Sequence, residues 1–295
     1  MPHIRLFMKL LYPFAKRFIA GPDLKTALPA IRGIEESGFF SSIDILGESV
    51  STRPQVEATK AEYLKLFESL SSINHSFDFS IKLSQLGLDI DKAFCTENLK
   101  QLARALGNHT IRLDMEDSTR TQNTLKICEE VHKTYPHTGQ AIQAYLFRSE
   151  NDVRHCIDNR ISVRLCKGAY KEPPGIALQS MDKIRENFFK LACQLLKEGY
   201  QPAIATHDEN LLVELLGFIR QEKINPNSFY FEMLYGMRRD LQKTLKSKGY
   251  RVRIYIPYGK AWLPYTLRRL AEKKENLLFV FTHLFRETFG LRKLH

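Results

Sequence analysis

Hydrophobic and polar positions along the chain alternate between two patterns. Short apolar or alternating runs lie at residues 43–46, 79–84, 110–115, 141–146, 161–166, 202–206, 228–232 and 251–256. Stretches with helical spacing fall at roughly 53–70, 91–106, 121–134, 149–157, 176–198, 208–220, 236–247 and 263–274. Each run is therefore followed by a helix, which implies parallel strands joined by right-handed crossovers. Eight such units in 295 residues predict an α/β fold, a closed TIM-like (β/α)8 barrel. An open doubly wound sheet is the alternative, weakened by the absence of GxGxxG, P-loop and GxSxG motifs. Residues 4–37 read as two helices split by Gly21-Pro22, with Asp23 as N-cap of the second. No linker divides the chain, so the expected organisation is an N-terminal helical arm over 1–38 and a barrel over 39–295. The apolar, aromatic tail 277–295 ends basic and reads either as a helix closing over the barrel or as a surface-seeking one.

The last strand and its helix carry the most suggestive pattern. Val252, Ile254 and Ile256 point one way and Arg253 and Tyr255 the other. Pro257 and Gly259 are expected to end the strand. The helix that follows tolerates Pro264 in its first turn. On it Tyr265, Arg268, Arg269 and Glu272 share one face, with Leu263, Leu267, Leu270 and Ala271 opposite. Paired arginines beside a tyrosine and a glutamate suit a small carboxylate ligand, since the guanidinium fork binds carboxylate bidentately. An ordinary solvated helix face has the same spacing. In a barrel the final helix would lean over the mouth.

Chemistry in such barrels sits at the C-terminal ends of the strands. Those ends deliver Gly47-Glu48-Ser49, Lys82 and Gln85, Asp114 and Glu116, Gln143 and Tyr145, Arg164 and Lys167 to Tyr170, Thr206 to Asp208, Glu232 and Leu234, and Tyr255. So many polar residues at one mouth are hard to reconcile with core packing. Each also has a plainer reading. Lys82 and Asp114 pair with one another, His207 caps a helix, and RLCKGAY is a simple strand-to-helix turn. Arg164, Lys167 and free N–H groups at Gly168 and Ala169 would also form a pocket for phosphate. Asp44 and Glu48 lack the accompanying ligands of a metal site, so no metal is expected.

Composition adds a direction. The net charge of +11 and pI near 9.4 favour anionic partners. Zinc-finger spacing, RNP-like aromatics and long Lys/Arg runs are absent, which disfavours nucleic acid. Five scattered cysteines without a CxxC read as reduced thiols of a cytoplasmic protein. No apolar run reaches the length of a transmembrane helix.

Taken together, SIKLSQLGLD, RLDMEDS, IQAYLFRS, ISVRLCKGAYKEP, ATHDEN, FYFEMLYGMR and RVRIYIPYGKAWLPYTLRRLAEKKEN resemble the FAD-dependent proline dehydrogenases, as do FIAGPD and ILGESV. The likeness spans nearly the whole chain in order, and the length is similar to the short monofunctional bacterial form. It implies oxidation of L-proline to Δ1-pyrroline-5-carboxylate by hydride transfer from C5 to FAD, with electrons passed to a membrane quinone and the protein held peripherally on the inner face of the cytoplasmic membrane. It implies Asp114 and Arg164 as catalytic residues, the latter near the flavin. Lys82, Arg268 and Arg269 would clamp the proline carboxylate, Glu272 would orient the arginines, and Leu234, Tyr255 and Tyr265 would wall the ring. Met115, Gln143, Arg164, Lys167, Gly168, Ala169, Thr206 and His207 would hold FAD. Cys166 stands where Val is expected and Asp208 where Asn is common. A flavin barrel acting on hydroxyproline, or a basic barrel that binds ligand or membrane without turnover, are the competing functions.

Overall fold

The computed structural model describes residues 11–271 apart from Asn74. Its described residues form a closed barrel of parallel strands in sequence order: β1 (Phe40–Ile45), β2 (Asp78–Ile81), β3 (Thr110–Leu113), β4 (Thr138–Gln143), β5 (Val163–Cys166), β6 (Ala203–Ala205), β7 (Tyr230–Leu234) and β8 (Val252–Tyr258), with β8 closing onto β1. The helices are α1 (Leu24–Glu36), α2 (Arg53–Leu70), α3 (Lys92–Ala105), α4 (Ser118–His132), α5 (Ser149–Asp158), α6 (Met181–Glu198), α7 (Glu209–Gln221), α8 (Arg239–Ser247) and α9 (Trp262–Ala271), plus a short 3-10 turn at Leu83–Gln85. The barrel is thus the closed form, not the open sheet. Among the described residues no helix is long and apolar enough to cross a membrane.

Local chemistry accounts for most boundaries. Asp23 caps α1 through a capping box, its carboxylate accepting from Thr26 N at 2.9 Å. Asp91, Asp117 and Asp208 cap α3, α4 and α7 in the same sense. Several expected boundaries move, among them β4, expected at 141–146 and found at Thr138–Gln143, and three have a visible cause. β1 begins at Phe40, because Ser41 and Ser42 pair with β8 although they are polar. α6 begins at Met181 instead of near 176, because Leu146 and Ala177 form a bridge and Ile176 O accepts from Phe147 N. β8 runs through Pro257, which lies in register with Asp44 and whose carbonyl accepts from Ala20 N at 2.9 Å. A proline is tolerated there because its missing donor falls at the strand end.

The two faces of the barrel wall differ sharply. Outward residues such as Ile43, Phe79, Ile111, Leu165, Phe231 and Ile254 pack with the surrounding helices in one continuous apolar layer. Each buried side chain of this size contributes about 1.5–3 kcal/mol. Inward residues include Ser42, Asp44, Asp78, Ser80, Arg112, Arg164, Glu232 and Arg253, all buried. The interior is therefore charged where such barrels are usually filled by branched aliphatics. All five cysteines are free thiols.

Beside the mouth, Trp262, Tyr265 and Leu270 of α9 pack with Leu11, Ala15, Phe18 and Ile19 of the N-terminal arm and with Leu46 after β1. The apolar face expected for α9 is rotated. Leu267 is 44 % exposed while Tyr265 is 7 % exposed. The arm supplies a second apolar surface, and Trp262, Tyr265 and Leu270 pack against it. Glu272, residues 1–10 and the tail 277–295 lie outside the described residues.

Candidate active site

The mouth is organised by β1, β2, β3, β5 and β8. Lys82, directly after β2, donates to Asp44 Oδ1 at 2.9 Å and to Asp114 Oδ2 at 3.1 Å. Arg164 from β5 reaches across the barrel. Its Nη1 donates to Asp114 Oδ1 at 2.6 Å, and its Nη2 to the hydroxyls of Ser42 at 2.6 Å and Ser80 at 2.8 Å. Its Nε lies 2.6 Å from Glu232 Oε1, a close ion contact at an angle too oblique for a hydrogen bond. Tyr255 Oη donates to Asp114 Oδ2 at 2.8 Å, and its ring lies 5.1 Å from the Arg164 guanidinium. Below them Asp78 accepts from Arg112 Nε at 2.8 Å and Arg253 Nη1 at 2.7 Å.

Protonation follows from these contacts. Burial pushes the Asp114 carboxyl up, but Lys82 and Arg164 outweigh it and hold Asp114 below the usual carboxylate range. Burial dominates at Asp44, whose single cation Lys82 leaves it raised; Asp114 nearby adds to the rise. Burial opposes the Lys82 charge, yet Asp44, Tyr255 and Asp114 lift its pKa well above the ordinary lysine value. Burial raises Glu232 despite the opposing charges of Arg164, Arg253 and Arg112. At neutral pH Lys82 and Arg164 are cations and Asp114 an anion.

A second group surrounds the ends of β4 to β7. Gln143 Nε2 donates to Glu116 O, and its Oε1 accepts from Ala169 N at 2.9 Å. The N–H of Ala169 is therefore engaged, a correction to the free donor expected from sequence. Lys167 Nζ lies 2.5 Å from Asp208 Oδ2. Thr206 Oγ1 accepts from Asp208 N, and His207 Nε2 accepts from Leu234 N at 2.9 Å. Met115 is buried beside Asp114 in the sequence. At Gly168 φ is +135°, and a Cβ would sit 2.4 Å from the Tyr145 ring. Only glycine fits this turn, which leaves Gly168 and Ala169 exposed at the rim. On α9, Arg268 Nη2 donates to Glu48 Oε1 at 3.1 Å, and the Arg269 guanidinium lies 5.4 Å from the Tyr265 ring.

The predicted residues thus gather as Lys82, Asp114, Arg164 and Tyr255 in one network, Gln143 with Ala169, and His207 with Leu234. The simple pairing of Lys82 with Asp114 does occur, inside a larger cluster. Sequence reasoning passed over Asp78, Arg112 and the two serines, and named Asp44, Glu232 and Arg253 without placing them in the site. Their signal was polar residues at alternate positions of apolar strands, as in Asp78-Ser80-Lys82 and Arg253-Tyr255.

Comparison with known proteins gives this geometry a family. A family model described as proline dehydrogenase matches residues 27–281. The chain belongs to the proline dehydrogenase family. Proline dehydrogenase 2 of Bacillus subtilis is 35% identical over 269 residues, covering 90% of this chain and 89% of that one. The Deinococcus radiodurans proline dehydrogenase is 35% identical over 283 residues, 94% and 91% of the two chains. The structure of proline utilization A from Bdellovibrio bacteriovorus inactivated by N-propargylglycine superposes with a TM-score of 0.79 at 24% identity, over 87% of this chain and 32% of that one. The last is a likeness of fold, and this chain spans about a third of that one. As a proline dehydrogenase family member the protein is an oxidoreductase on a (β/α)8 barrel.

The flavin of this family can be tested against the residues present. The donor set combines a buried central guanidinium, Arg164, with Lys167 and a glycine turn at the rim. A planar ring carrying an anionic phosphate tail fits such a set, because charge is available at both ends.

Proposed function

We propose that the protein oxidises L-proline to Δ1-pyrroline-5-carboxylate with FAD as cofactor. The observation that carries this reading is the Lys82–Asp114–Arg164–Tyr255 network at the barrel mouth of a proline dehydrogenase family chain.

Lys82, Arg268 and Arg269 are the proposed carboxylate clamp, with Glu272 as the partner of the arginines. Lys82 and Arg268 are already paired with protein carboxylates, so the substrate carboxylate exchanges for Asp44, Asp114 or Glu48 and does not meet bare charge. That exchange favours orientation over raw affinity, as positioning accounts for much of such a rate. Tyr255, Tyr265 and Leu234 wall the ring. A proline nitrogen beside these cations sheds its proton more readily, and the neutral amine is the form that can be oxidised. Met115, Gln143, Arg164, Lys167, Gly168, Ala169, Thr206 and His207 would hold FAD, which when bound accepts the hydride from C5. Arg164 supplies a fixed charge favouring electron density on the ring, and Asp114 holds Arg164, Lys82 and Tyr255 in place. A membrane quinone is the proposed final acceptor. The surplus of +11 supports a cytoplasmic protein attached peripherally to an anionic leaflet, each nearby Lys or Arg contributing about 1 kcal/mol.

The purified protein should be yellow, and L-proline should bleach its flavin band without added acceptor. A chain that takes up no FAD would overturn the reading. Arg269→Lys should raise KM for proline by about tenfold through loss of the guanidinium fork; an unchanged KM removes Arg269 from the clamp.

A further inference from the structure

Asp208 gathers two cations at the rim between β5 and β6. Its Oδ2 accepts from Lys167 Nζ at 2.5 Å and from Arg185 Nε at 2.7 Å, while Oδ1 caps α7 through Leu211 N. Lys167 comes from the turn after β5, and Arg185 from the first turns of α6, whose N-terminal end lies at the same mouth. The carboxylate is one-tenth exposed and held to a pKa of about 2, so it is ionised at any working pH; burial opposes this, and the hydrogen bonds from Lys167 and Arg185 overcome it.

As a stabilising device the arrangement is weak. Arg185 is 40 % exposed, and pairs this exposed to solvent contribute little to stability. Its donor count is more telling. Lys167 uses one of three N–H donors on Asp208. Arg185 uses Nε on Asp208 and Nη1 on Asp182, and among the described residues its Nη2 donates to none. Two cations with donors to spare are fixed by one largely buried anion, Asp208, beside the Gly168–Ala169 turn; the second anion, Asp182, is 92 % exposed and screened by solvent. Such a cluster attracts an anion and offers it oriented hydrogen bonds.

We infer that Arg185 is a further cofactor-binding residue: with Lys167 it binds the pyrophosphate of FAD, and Asp208 is the positioning residue that aims both. This rests on the FAD reading above, extended to a residue outside the expected set. An asparagine at this position would cap α7 equally well but would lack the charge that ties Arg185 to Lys167.

The test is equilibrium binding of FAD and of riboflavin, which lacks phosphate, to apo-protein, followed by flavin fluorescence at several salt concentrations. Arg185→Ala should weaken FAD about tenfold, flatten the salt dependence and leave riboflavin unchanged; Arg185→Lys should restore part of the loss. In an Asp208→Asn background, Arg185→Ala should cost less than twofold, because the arginine is no longer aimed. Wild-type FAD affinity in Arg185→Ala, or equal losses for FAD and riboflavin, overturns the assignment of Arg185. A full tenfold loss in the Asp208→Asn background overturns the positioning role. Wild-type protein that binds neither flavin refutes the underlying FAD reading instead.

Discussion

At the floor of the barrel Asp78 accepts from Arg112 and Arg253, and all three side chains are at most 8 % exposed. At the mouth Asp114 accepts from Lys82, Arg164 and Tyr255, but it is 14 % exposed, and both it and Lys82 lie just past the ends of their strands. The two clusters use the same side-chain chemistry. The floor is closed off from the rim, so its charges meet only protein groups: each other, Glu232 and Arg164, and, for Arg112, Ser162. The mouth opens to the rim, so a ligand can take the place of a protein carboxylate. A buried ion pair becomes a binding site when one side of it can be exchanged, and a structural element when it cannot.

Breaking the floor should have the largest effect. Asp78→Ala leaves Arg112 and Arg253 buried without their common acceptor and should cost about 3–5 kcal/mol in urea unfolding. A loss below about 1 kcal/mol would show that water or Glu232 replaces Asp78 and would erase the distinction between floor and mouth.

The two mouth carboxylates should differ from one another. Asp114 has a depressed folded pKa, so the stability it contributes is complete above the ordinary value of 3.8 and is lost as pH falls through the lower folded value. Asp44 has a raised folded pKa, so folding favours its protonated form and its ionisation above 3.8 costs stability. Asp114→Asn should therefore destabilise by more than Asp44→Asn at pH 7, by about 1–2 kcal/mol, and the gap should close as pH falls below 3.8. Unfolding curves of both variants at pH 7 and in acid provide the check; equal losses at pH 7 would contradict the assigned shifts.

A smaller effect is expected at the rim. Gly168→Ala places a methyl against Tyr145 in a backbone region that disfavours side chains, at about 1–3 kcal/mol. The strain should appear as faster flavin loss on dilution, with the floor intact. Least of all, Leu267→Ser should stay within about 0.5 kcal/mol of wild type, since Leu267 is 44 % exposed. A large loss there would restore the helix face expected from spacing alone.

Strand and helix order was legible because period-two and helical runs alternate through the chain, and eight repeats close a barrel. Lys82, Asp114, Arg164 and Tyr255 were legible as a group through family likeness; the strand ends mark Lys82 and Asp114, whereas Arg164 and Tyr255 lie within β5 and β8. The charged floor was not, although its residues alternate along the strands. Alternation tells which face a residue takes, but not that Arg112 on β3 and Arg253 on β8 will meet at Asp78 on β2.

What the sequence determined by itself is what depends on neighbours along the chain: element type, Asp caps, and the inward or outward sense of each strand residue. Tertiary structure decided what depends on residues far apart. It set the side of α9 that is buried, because the N-terminal arm supplies the opposing surface. It engaged the Ala169 N–H, because Gln143 lies within reach. It also set the unequal protonation of Asp44 and Asp114, because the number of cations around a buried carboxylate is a property of the closed barrel.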